Sequence, residues 1–440
     1  MVSAVPDFVS PDQIRARFAA GLSALYRAEV PLYAALRDIV AAVEAEMAGG
    51  SDGGAVERHG AIRVGTPDEM RLVARLFAVM GLHPVGYYDL APVGVPVHST
   101  AFRPITAEAL AINPLRVFTS LLRLDLVEDP ALRAEAAAIL ARRTIVAPAT
   151  LALVERAETA GGLTPGEAEA FIAGALDVFR WHGTARVDAA TYQRLLGAHR
   201  LVADVVAFGG PHINHLTPHS RDIDRVQAEM AARGLPAKAT IEGPPRRRVP
   251  ILLRQTSFSA VAEAFVPAGA DPATAPLRHT ARFGEVEQRG AALTPAGRAR
   301  YDACLAALRE EGAAPEAAFA AFPDDFAALH AAGLAYARYV PTGRAGPAAS
   351  LAEALARGLI TAEPITYEDF LPVSAAGIFR SNLAEADQAN ATAVSSQAEL
   401  EAAIGRPILD PFALYQAIAE ASAAAALTAL GCGLADTARA

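Results

Sequence analysis

Apolar residues recur at helical spacing in three long regions of the chain, and short extended runs separate these regions. The first region opens with Ser10-Pro11-Asp12-Gln13, a capping-box pattern with proline at the first helical position. Apolar residues then follow at helical spacing as far as Val40. We therefore predict an N-terminal helical segment, residues 1–54, that ends in the glycine-rich stretch from Gly49 to Gly54.

Two extended regions share one plan, in which a histidine-containing strand precedes a helix of about three turns, a glycine stop and further strands. In the first region, the strand Val56–Val64 precedes a helix over Thr66–Met80, and two strand-like runs follow. In the second region, the strand Pro211–Leu216 precedes a helix over Asp222–Arg233. The strands predicted after this helix are Ala239–Glu242, Pro250–Phe258 and Thr280–Gln288.

The repeated plan predicts an α+β fold in which two βαβββ modules form a curved mixed sheet with large helical additions. Because alternate residues of a strand point to the same face, the concave face of the sheet must either be filled by side chains or be used as a pocket. After the N-terminal segment, the predicted parts are a first module (55–105), a helical insertion (106–207), a second module (208–292) and a mostly helical C-terminal region (293–440) with a loop near 365–380.

Composition and charge exclude several classes of protein. No stretch of about 18 or more strongly apolar residues could span a membrane. The N-terminus lacks the pattern of a secretory signal, so we expect a cytoplasmic protein. Cys304 and Cys432 are far apart and outside any Cys-x-x-Cys pattern, which argues against disulfides and thiolate metal sites.

The basic residues do not indicate a nucleic-acid partner. The net charge is −9, and the dense basic run Arg246-Arg247-Arg248 has no aromatic residues interleaved with it. This run could line a site for an anionic small molecule or form an ordinary solvated loop.

Two histidines occupy matching positions in the repeated modules, His59 in the first strand of one and His215 in the first strand of the other. In the last strand of the second module, Glu285 and Glu287 point to the same face because strand side chains alternate. Two imidazoles and one carboxylate on one face of an ion, with further positions open, are typical of non-haem iron(II) oxygenases. These residues therefore predict a divalent-metal site, which either glutamate could complete.

The equivalence of His59 and His215 carries this prediction, since a lone histidine is more often a structural residue than a ligand. His212, His219 and His279 are the alternatives. The first two lie off the strand face expected of His215, and His279 precedes the strand that carries the glutamates. We predict structural or supporting roles for all three.

Arg63 lies four residues after His59, so on a strand both side chains share a face, about 13 Å apart at about 3.3 Å per residue. A guanidinium makes a planar two-point contact with a carboxylate. We therefore predict that Arg63 is a catalytic, substrate-binding residue for an acidic substrate; the alternative is an ordinary surface arginine.

Several segments of the chain together resemble one known family. They are Glu57–Val64, Gly81–Leu90, Asn214–Pro218, Arg254–Phe258 and Arg282–Gly290. As a set they are similar to the 2-oxoadipate dioxygenase/decarboxylase family, which is related to the vicinal-oxygen-chelate fold and to hydroxyphenylpyruvate dioxygenase. The resemblance spans most of the chain.

The resemblance implies an Fe(II) enzyme that converts 2-oxoadipate and O2 to 2-hydroxyglutarate and CO2 in lysine catabolism. It implies that His59, His215 and one of the two glutamates bind Fe(II). It favours Glu285, because Glu285-Val286-Glu287-Gln288-Arg289 is similar to the Glu-x-x-Gln-Arg strand of the hydroxyphenylpyruvate enzymes, and Glu287 then becomes a supporting acid. It also implies that Arg63, Val373 and Ser374 contact the substrate.

Two other functions fit parts of the sequence. Another vicinal-oxygen-chelate metalloenzyme, such as an extradiol dioxygenase or an isomerase, could use the same three ligands, because they accept several divalent metals. A metal-free small-molecule binding protein is the alternative outside enzymes, and the two histidines and carboxylate argue against it.

Overall fold

The structure, a computed structural model, describes residues 7–47, 57–272, 276–311, 315–371 and 396–431. The chain divides into two compact units. The first comprises Met1–Ile241, Gln255–Glu287 and Pro372–Ile408, and the second comprises Glu242–Arg254, Gln288–Leu371 and Leu409–Ala440. The two histidines and two glutamates predicted to bind metal, and Arg63, all belong to the first unit.

Strands of the two predicted modules join in a single mixed sheet. They are β1 Glu57–Val64, β2 His83–Asp89, β3 Val97–Arg103, β4 Arg116–Leu122, β5 His215–Pro218, β6 Leu253–Ser257, β7 Val261–Phe265 and β8 Leu277–Arg289. The eight-stranded sheet has the order β2-β3-β4-β1-β5-β8-β6, and β7 pairs with β8 outside this path. In each module the first strand pairs in parallel with the last, β1 with β4 and β5 with β8. The two first strands, β1 and β5, pair antiparallel where the modules meet.

The first unit also contains helices that precede or separate these strands along the chain. They are α1 Pro11–Glu29, α2 Pro31–Met47, α3 Pro67–Val79, α4 Ala107–Ile112, α5 Pro130–Leu140, α6 Pro148–Ala160, α7 Pro165–Val178, α8 Ala189–Ala198, α9 Arg200–Ala207 and α10 Ile223–Ala232. The helix of the first βαβββ module is α3, and the helix of the second is α10. The predicted α+β fold with two βαβββ modules is confirmed.

In its described residues the second unit combines helices with a small antiparallel sheet. Its elements are α11 Pro295–Glu311, α12 Pro315–Ala318, α13 Phe326–Ala331, β9 Ala337–Pro341, α14 Leu351–Ala356 and β10 Ile360–Pro364, and, after α15 Gln397–Ile404 of the first unit, α16 Pro411–Ala429. The pairing of β9 with β10 was not predicted, because each strand has only five residues and shows no long apolar alternation.

Polar side chains cap the N-termini of α1 and α3. Ser10 and Gln13 form the reciprocal capping box of α1. Thr66 caps α3 by accepting from the backbone N–H of Glu69, over 3.2 Å. The Glu69 side chain instead accepts from the backbone N–H of Gly65 and forms an ion pair with Arg143.

The predicted limits of the first module and of the helical insertion are wrong. Strand β4 lies inside the segment 106–207 that was predicted to be helical, and it closes the first module by pairing with β1 and β3. All seven residues of β4 are buried, the polar Arg116, Thr119 and Ser120 included, so the strand has no alternation of buried and exposed positions that separates it from a helix. The first module therefore extends to Leu122, and the helical insertion starts after it.

One strand of the second module was also misplaced. Residues 239–242 do not form one of its strands, and the third strand is β7, Val261–Phe265. Gly243, with a φ of 104°, and the Pro244-Pro245 pair follow directly after residues 239–242 and limit the room for regular pairing there. The alanine-rich sequence of β7 gives little β-strand signal.

The backbones of β1 and β5 approach closely at Gly60. A Cβ atom at this position would lie 2.7 Å from Cδ1 of Ile213, 2.9 Å from Cδ2 of Leu216 and 3.1 Å from the carbonyl oxygen of His215. A methyl group there requires the side chains of Ile213 and Leu216 to repack and the backbone at His215 to shift by a few tenths of an ångström. Glycine at this position therefore lets two ligand-bearing strands pair at normal distance.

Gly60→Ala is expected to lower the free energy of unfolding by about 1–3 kcal/mol, because two packed side chains and the β5 backbone must shift. Thermal unfolding followed by calorimetry measures the change. Gly209→Ala is the matched control, since a Cβ at Gly209 would have no atom within 4 Å. Its melting temperature should stay the same or rise slightly. Equal losses in the two variants would contradict the close approach.

Candidate metal centre

Strand register brings the predicted metal ligands to one face of the sheet. Across the β1–β5 pair, His59 lies opposite Thr217, and across the β5–β8 pair, His215 lies opposite Phe283. Residues two apart on a strand share a face, so Glu285 projects from β8 on the same side as both histidines. Three adjacent strands therefore each contribute one predicted ligand.

The three predicted ligands converge in a buried cluster. Nε2 of His59 lies 3.3 Å and Nε2 of His215 lies 3.5 Å from Oε2 of Glu285. One ligand atom from each side chain lies within 4.8 Å of the other two. For metal–ligand bonds of about 2.1 Å, as in protein zinc sites, donors at right angles lie about 3 Å apart. The cluster therefore has the dimensions that a single ion requires.

Glu287 contacts the opposite side of the His59 ring. Its Oε2 lies 2.7 Å from Nδ1 of His59, and both side chains are fully buried. In the tautomer that carries its proton on Nδ1, the ring donates to this carboxylate, and the lone pair of Nε2 points towards Glu285. Two acceptors that face each other repel, and a cation between them would remove that repulsion. Carboxylates orient metal-binding histidines in proteins in this way.

His215 has the properties of a neutral ligand. It is buried, and its ring stacks on Phe283 with 4.8 Å between the ring centroids. Burial lowers the pKa of His215 to about 3, even though the nearby Glu285 acts in the opposite direction. Neither ring nitrogen of His215 has a hydrogen-bond partner among the described residues. A buried nitrogen of this kind is costly unless a ligand occupies it, so the side chain fits a bound metal.

The carboxylate of Glu285 is ionised. Burial acts to raise the pKa of Glu285, but the adjacent His215 and His59 outweigh burial, and the net shift is downward. Two histidines and an ionised carboxylate on one face match the donors of non-haem iron(II) oxygenases, and other divalent ions accept the same donors. The residues present therefore fit a mononuclear metal site.

Two polar side chains that were not predicted from the sequence contact the candidate ligands. Oγ1 of Thr217 lies 3.0 Å from Nε2 of His59 and 3.5 Å from Oε2 of Glu285. Nε2 of Gln255 donates to the same oxygen of Glu285 over 3.3 Å. Strand alternation could have revealed Thr217, which lies two residues after His215.

Arg63 is buried on the same face of β1 as His59, with 6% of its side chain exposed. The alternative of an ordinary surface arginine is therefore wrong. Its Nη1 lies 2.5 Å from Oδ2 of Asp204 on α9, a helix of the insertion. Sequence analysis did not single out Asp204.

The other three histidines lie outside the candidate metal cluster. Nε2 of His279 lies 2.9 Å and Nε2 of His212 lies 3.3 Å from Oδ1 of Asp204. His219 forms an isolated backbone bridge with Glu287. The two remaining residues that the family resemblance implied, Val373 and Ser374, lie outside the described residues.

The basic run makes contacts within the second unit. Arg247 donates to the carbonyl oxygens of Phe322 and Pro323, over 2.8 and 2.7 Å. Arg248 donates to the carbonyl oxygen of Asp324, over 2.9 Å at its Nη2. In the part of the chain that the structure describes, no helix has both the length and the apolar character needed to cross a membrane.

Comparison with known proteins identifies close relatives over almost the whole chain. The model of a family described as 2-oxoadipate dioxygenase/decarboxylase matches residues 18–382. A 2-oxoadipate dioxygenase/decarboxylase of Pseudomonas putida is 48% identical over 460 residues, which cover 97% of this chain and 99% of the relative.

Solved structures agree with this assignment. A crystal structure of the hydroxyglutarate synthase of Pseudomonas putida in complex with 2-oxoadipate has a TM-score of 0.87 and 47% identity. The match covers 97% of this chain and 99% of that one. A protein assigned to the glyoxalase superfamily from Ralstonia eutropha has a TM-score of 0.51 and 20% identity, with 66% of this chain and 88% of that chain covered. This last similarity supports the vicinal-oxygen-chelate fold alone.

Proposed function

The chain belongs to the 2-oxoadipate dioxygenase/decarboxylase family, and on this basis we propose that it is an iron(II) enzyme that converts 2-oxoadipate and O2 to 2-hydroxyglutarate and CO2. We further propose that it acts in lysine catabolism in the cytoplasm. The observation that supports iron most directly is the buried cluster of His59, His215 and Glu285, in which the nitrogens of His215 lack hydrogen-bond partners among the described residues.

The proposed reaction balances without a second reductant. The carboxylate carbon next to the keto group leaves as CO2, the keto carbon becomes the new carboxylate, and the next carbon gains a hydroxyl group. The two atoms of O2 account for the added oxygen. The 2-oxo acid is therefore both the source of electrons and the molecule that is hydroxylated.

The side chains of this protein hold the reacting groups in place. Bound by His59, His215 and Glu285, iron(II) would supply open positions for the 2-oxo acid and O2 and the redox chemistry. Glu287 keeps the proton of His59 on Nδ1, and Gln255 donates to the Glu285 carboxylate. These contacts limit rotation of the ligands, as supporting residues do in other metal sites.

We propose that Arg63 binds the distal carboxylate of 2-oxoadipate. Arg63 shares the sheet face of His59 and is buried, so a bond from its guanidinium to a carboxylate is shielded from water. Fixing the far end of the substrate determines which carbon lies next to the metal.

Arg63→Ala is expected to lower kcat/KM for 2-oxoadipate about 10- to 100-fold, because a hydrogen bond to a charged group contributes about 1.5–3 kcal/mol. The control substrate is 2-oxohexanoate, which has the same number of carbons but no distal carboxylate. Its kcat/KM should change little. Steady-state kinetics with both acids check this, and an equal loss for both would remove Arg63 from distal recognition.

Anaerobic reconstitution with iron(II), followed by addition of O2 and 2-oxoadipate, tests the proposed function. We expect one CO2 and one 2-hydroxyglutarate for each O2 consumed. An isomerase would consume no O2, and an extradiol dioxygenase would release no CO2. A metal-free binding protein would contain no metal when purified without chelators. Each of these results would replace the proposal with the corresponding alternative.

A further inference from the structure

Helix α9 of the insertion carries a buried acid. Residues Leu201 to Ala207 are all buried, and Asp204 is the only charged residue among these seven. Burial of an unpaired carboxylate costs several kcal/mol, so Asp204 requires partners. The identity of those partners indicates what the helix contributes to the protein.

The partners of Asp204 occupy both of its oxygens. Oδ2 accepts from Nη1 of Arg63 at 2.5 Å, and Oδ1 accepts from Nε2 of His279 at 2.9 Å. Nδ1 of His279 lies 2.9 Å from the hydroxyl of Tyr192, which donates to Nδ1 in the tautomer that carries its proton on Nε2. Nε2 of His212 lies 3.3 Å from Oδ1. The carboxylate is held from two sides, with Arg63 on one of them.

Aromatic rings enclose the histidine side of this cluster. Phe208 lies 4.9 Å from the His279 ring, and Trp181 lies 4.7 Å from the His212 ring, between centroids. Burial acts to raise the pKa of Asp204, but Arg63 and the two histidines outweigh it and hold the pKa well below its usual value. The result is an ionised carboxylate with little freedom to turn away from Arg63.

We propose that Asp204 is a positioning residue that orients the guanidinium of Arg63 towards the distal carboxylate, and that the helical insertion thereby selects 2-oxo acids with a second carboxylate. This inference rests on the proposed function. A mobile arginine side chain loses rotamer entropy when it binds a ligand. The ion pair with Asp204 removes part of that entropy before the substrate arrives, and such preorganisation increases affinity.

Asp204→Asn tests the inference, because it removes the charge and keeps the size of the side chain. The measured quantity is the ratio of kcat/KM for 2-oxoadipate to kcat/KM for 2-oxohexanoate. We expect this ratio to fall about three- to tenfold, the range that corresponds to one immobilised side chain, mainly through a higher KM for 2-oxoadipate. Anaerobic calorimetric binding of each acid to the iron(II)-loaded protein should show the same fall in relative affinity.

Two further variants complete the experiment. Asp188→Asn is the matched control, because Asp188 is exposed and caps α8 by accepting from the backbone N–H of Thr191 at 2.7 Å. Its ratio should equal that of the wild type. His279→Phe removes one donor to Asp204 and keeps an aromatic ring in an aromatic surrounding. It should give a smaller fall, and it decides the question if Asp204→Asn does not fold.

The outcomes separate the inference from the proposed function. An unchanged ratio in the Asp204 variant overturns the positioning role, and a higher ratio shows that Asp204 competes with the substrate for Arg63, which also overturns it. If the wild type neither binds nor turns over 2-oxoadipate, the proposed function itself fails. If the wild type prefers 2-oxoadipate and only the variants lack the expected fall, the inference alone fails.

Discussion

His215→Ala is expected to abolish turnover of 2-oxoadipate and to reduce bound metal to background. The substitution removes one of the three protein ligands. Its effect should therefore exceed the loss of about 10- to 100-fold that is typical when a supporting residue of a metal site is removed. Product assays and elemental analysis of the dialysed protein measure the two effects. Metal binding is the more direct of the two, because it does not depend on the identity of the substrate.

His182→Ala serves as the control for the His215 variant. His182 is exposed and belongs to the same compact unit, so its loss should leave metal content and turnover unchanged. A wild-type amount of metal in His215→Ala would remove His215 from the ligand set. The burial of both ring nitrogens of His215 without hydrogen-bond partners among the described residues would then need another explanation.

The second large effect is expected for Glu285→Gln, compared with Glu287→Gln. An amide is a much poorer metal ligand than a carboxylate, so the Glu285 variant should lose both metal and turnover. The Glu287 variant keeps an oxygen that accepts from Nδ1 of His59 and should lose about 10- to 100-fold in activity or metal affinity. Metal titrations and product assays on both proteins check the order. The reverse order would make Glu287 the ligand and Glu285 the supporting acid.

The sequence predicts the plan of the fold because the first strand and helix of each module repeat. His59 and His215 could be singled out for the same reason, since equivalent positions in two modules stand out where single histidines do not. Strand β4 was missed because both of its faces are buried, so its pattern carries no period. Strand β7 was missed because alanine has a weak preference for strands.

The surroundings of the candidate ligands were harder to predict. Alternation places Glu285 and Glu287 on one face, but spacing alone cannot say which of them is nearer to both histidines. That difference depends on the register of β8 against β5. Asp204 lies 141 positions from Arg63 along the chain, and no motif links the two residues. Its only local signal is a single charge within an otherwise apolar helix.

The two βαβββ modules meet where β1 pairs antiparallel with β5, and neither module alone contains all three candidate ligands. The first module contributes one imidazole, and the second contributes the other imidazole and the carboxylate. An ion bound there would link the two modules across the β1–β5 pair, since its binding free energy is available only when both modules are folded and joined. Removal of the ion by a chelator should therefore weaken the β1–β5 pairing first, and hydrogen exchange should rise earliest in the backbone amides that link these two strands.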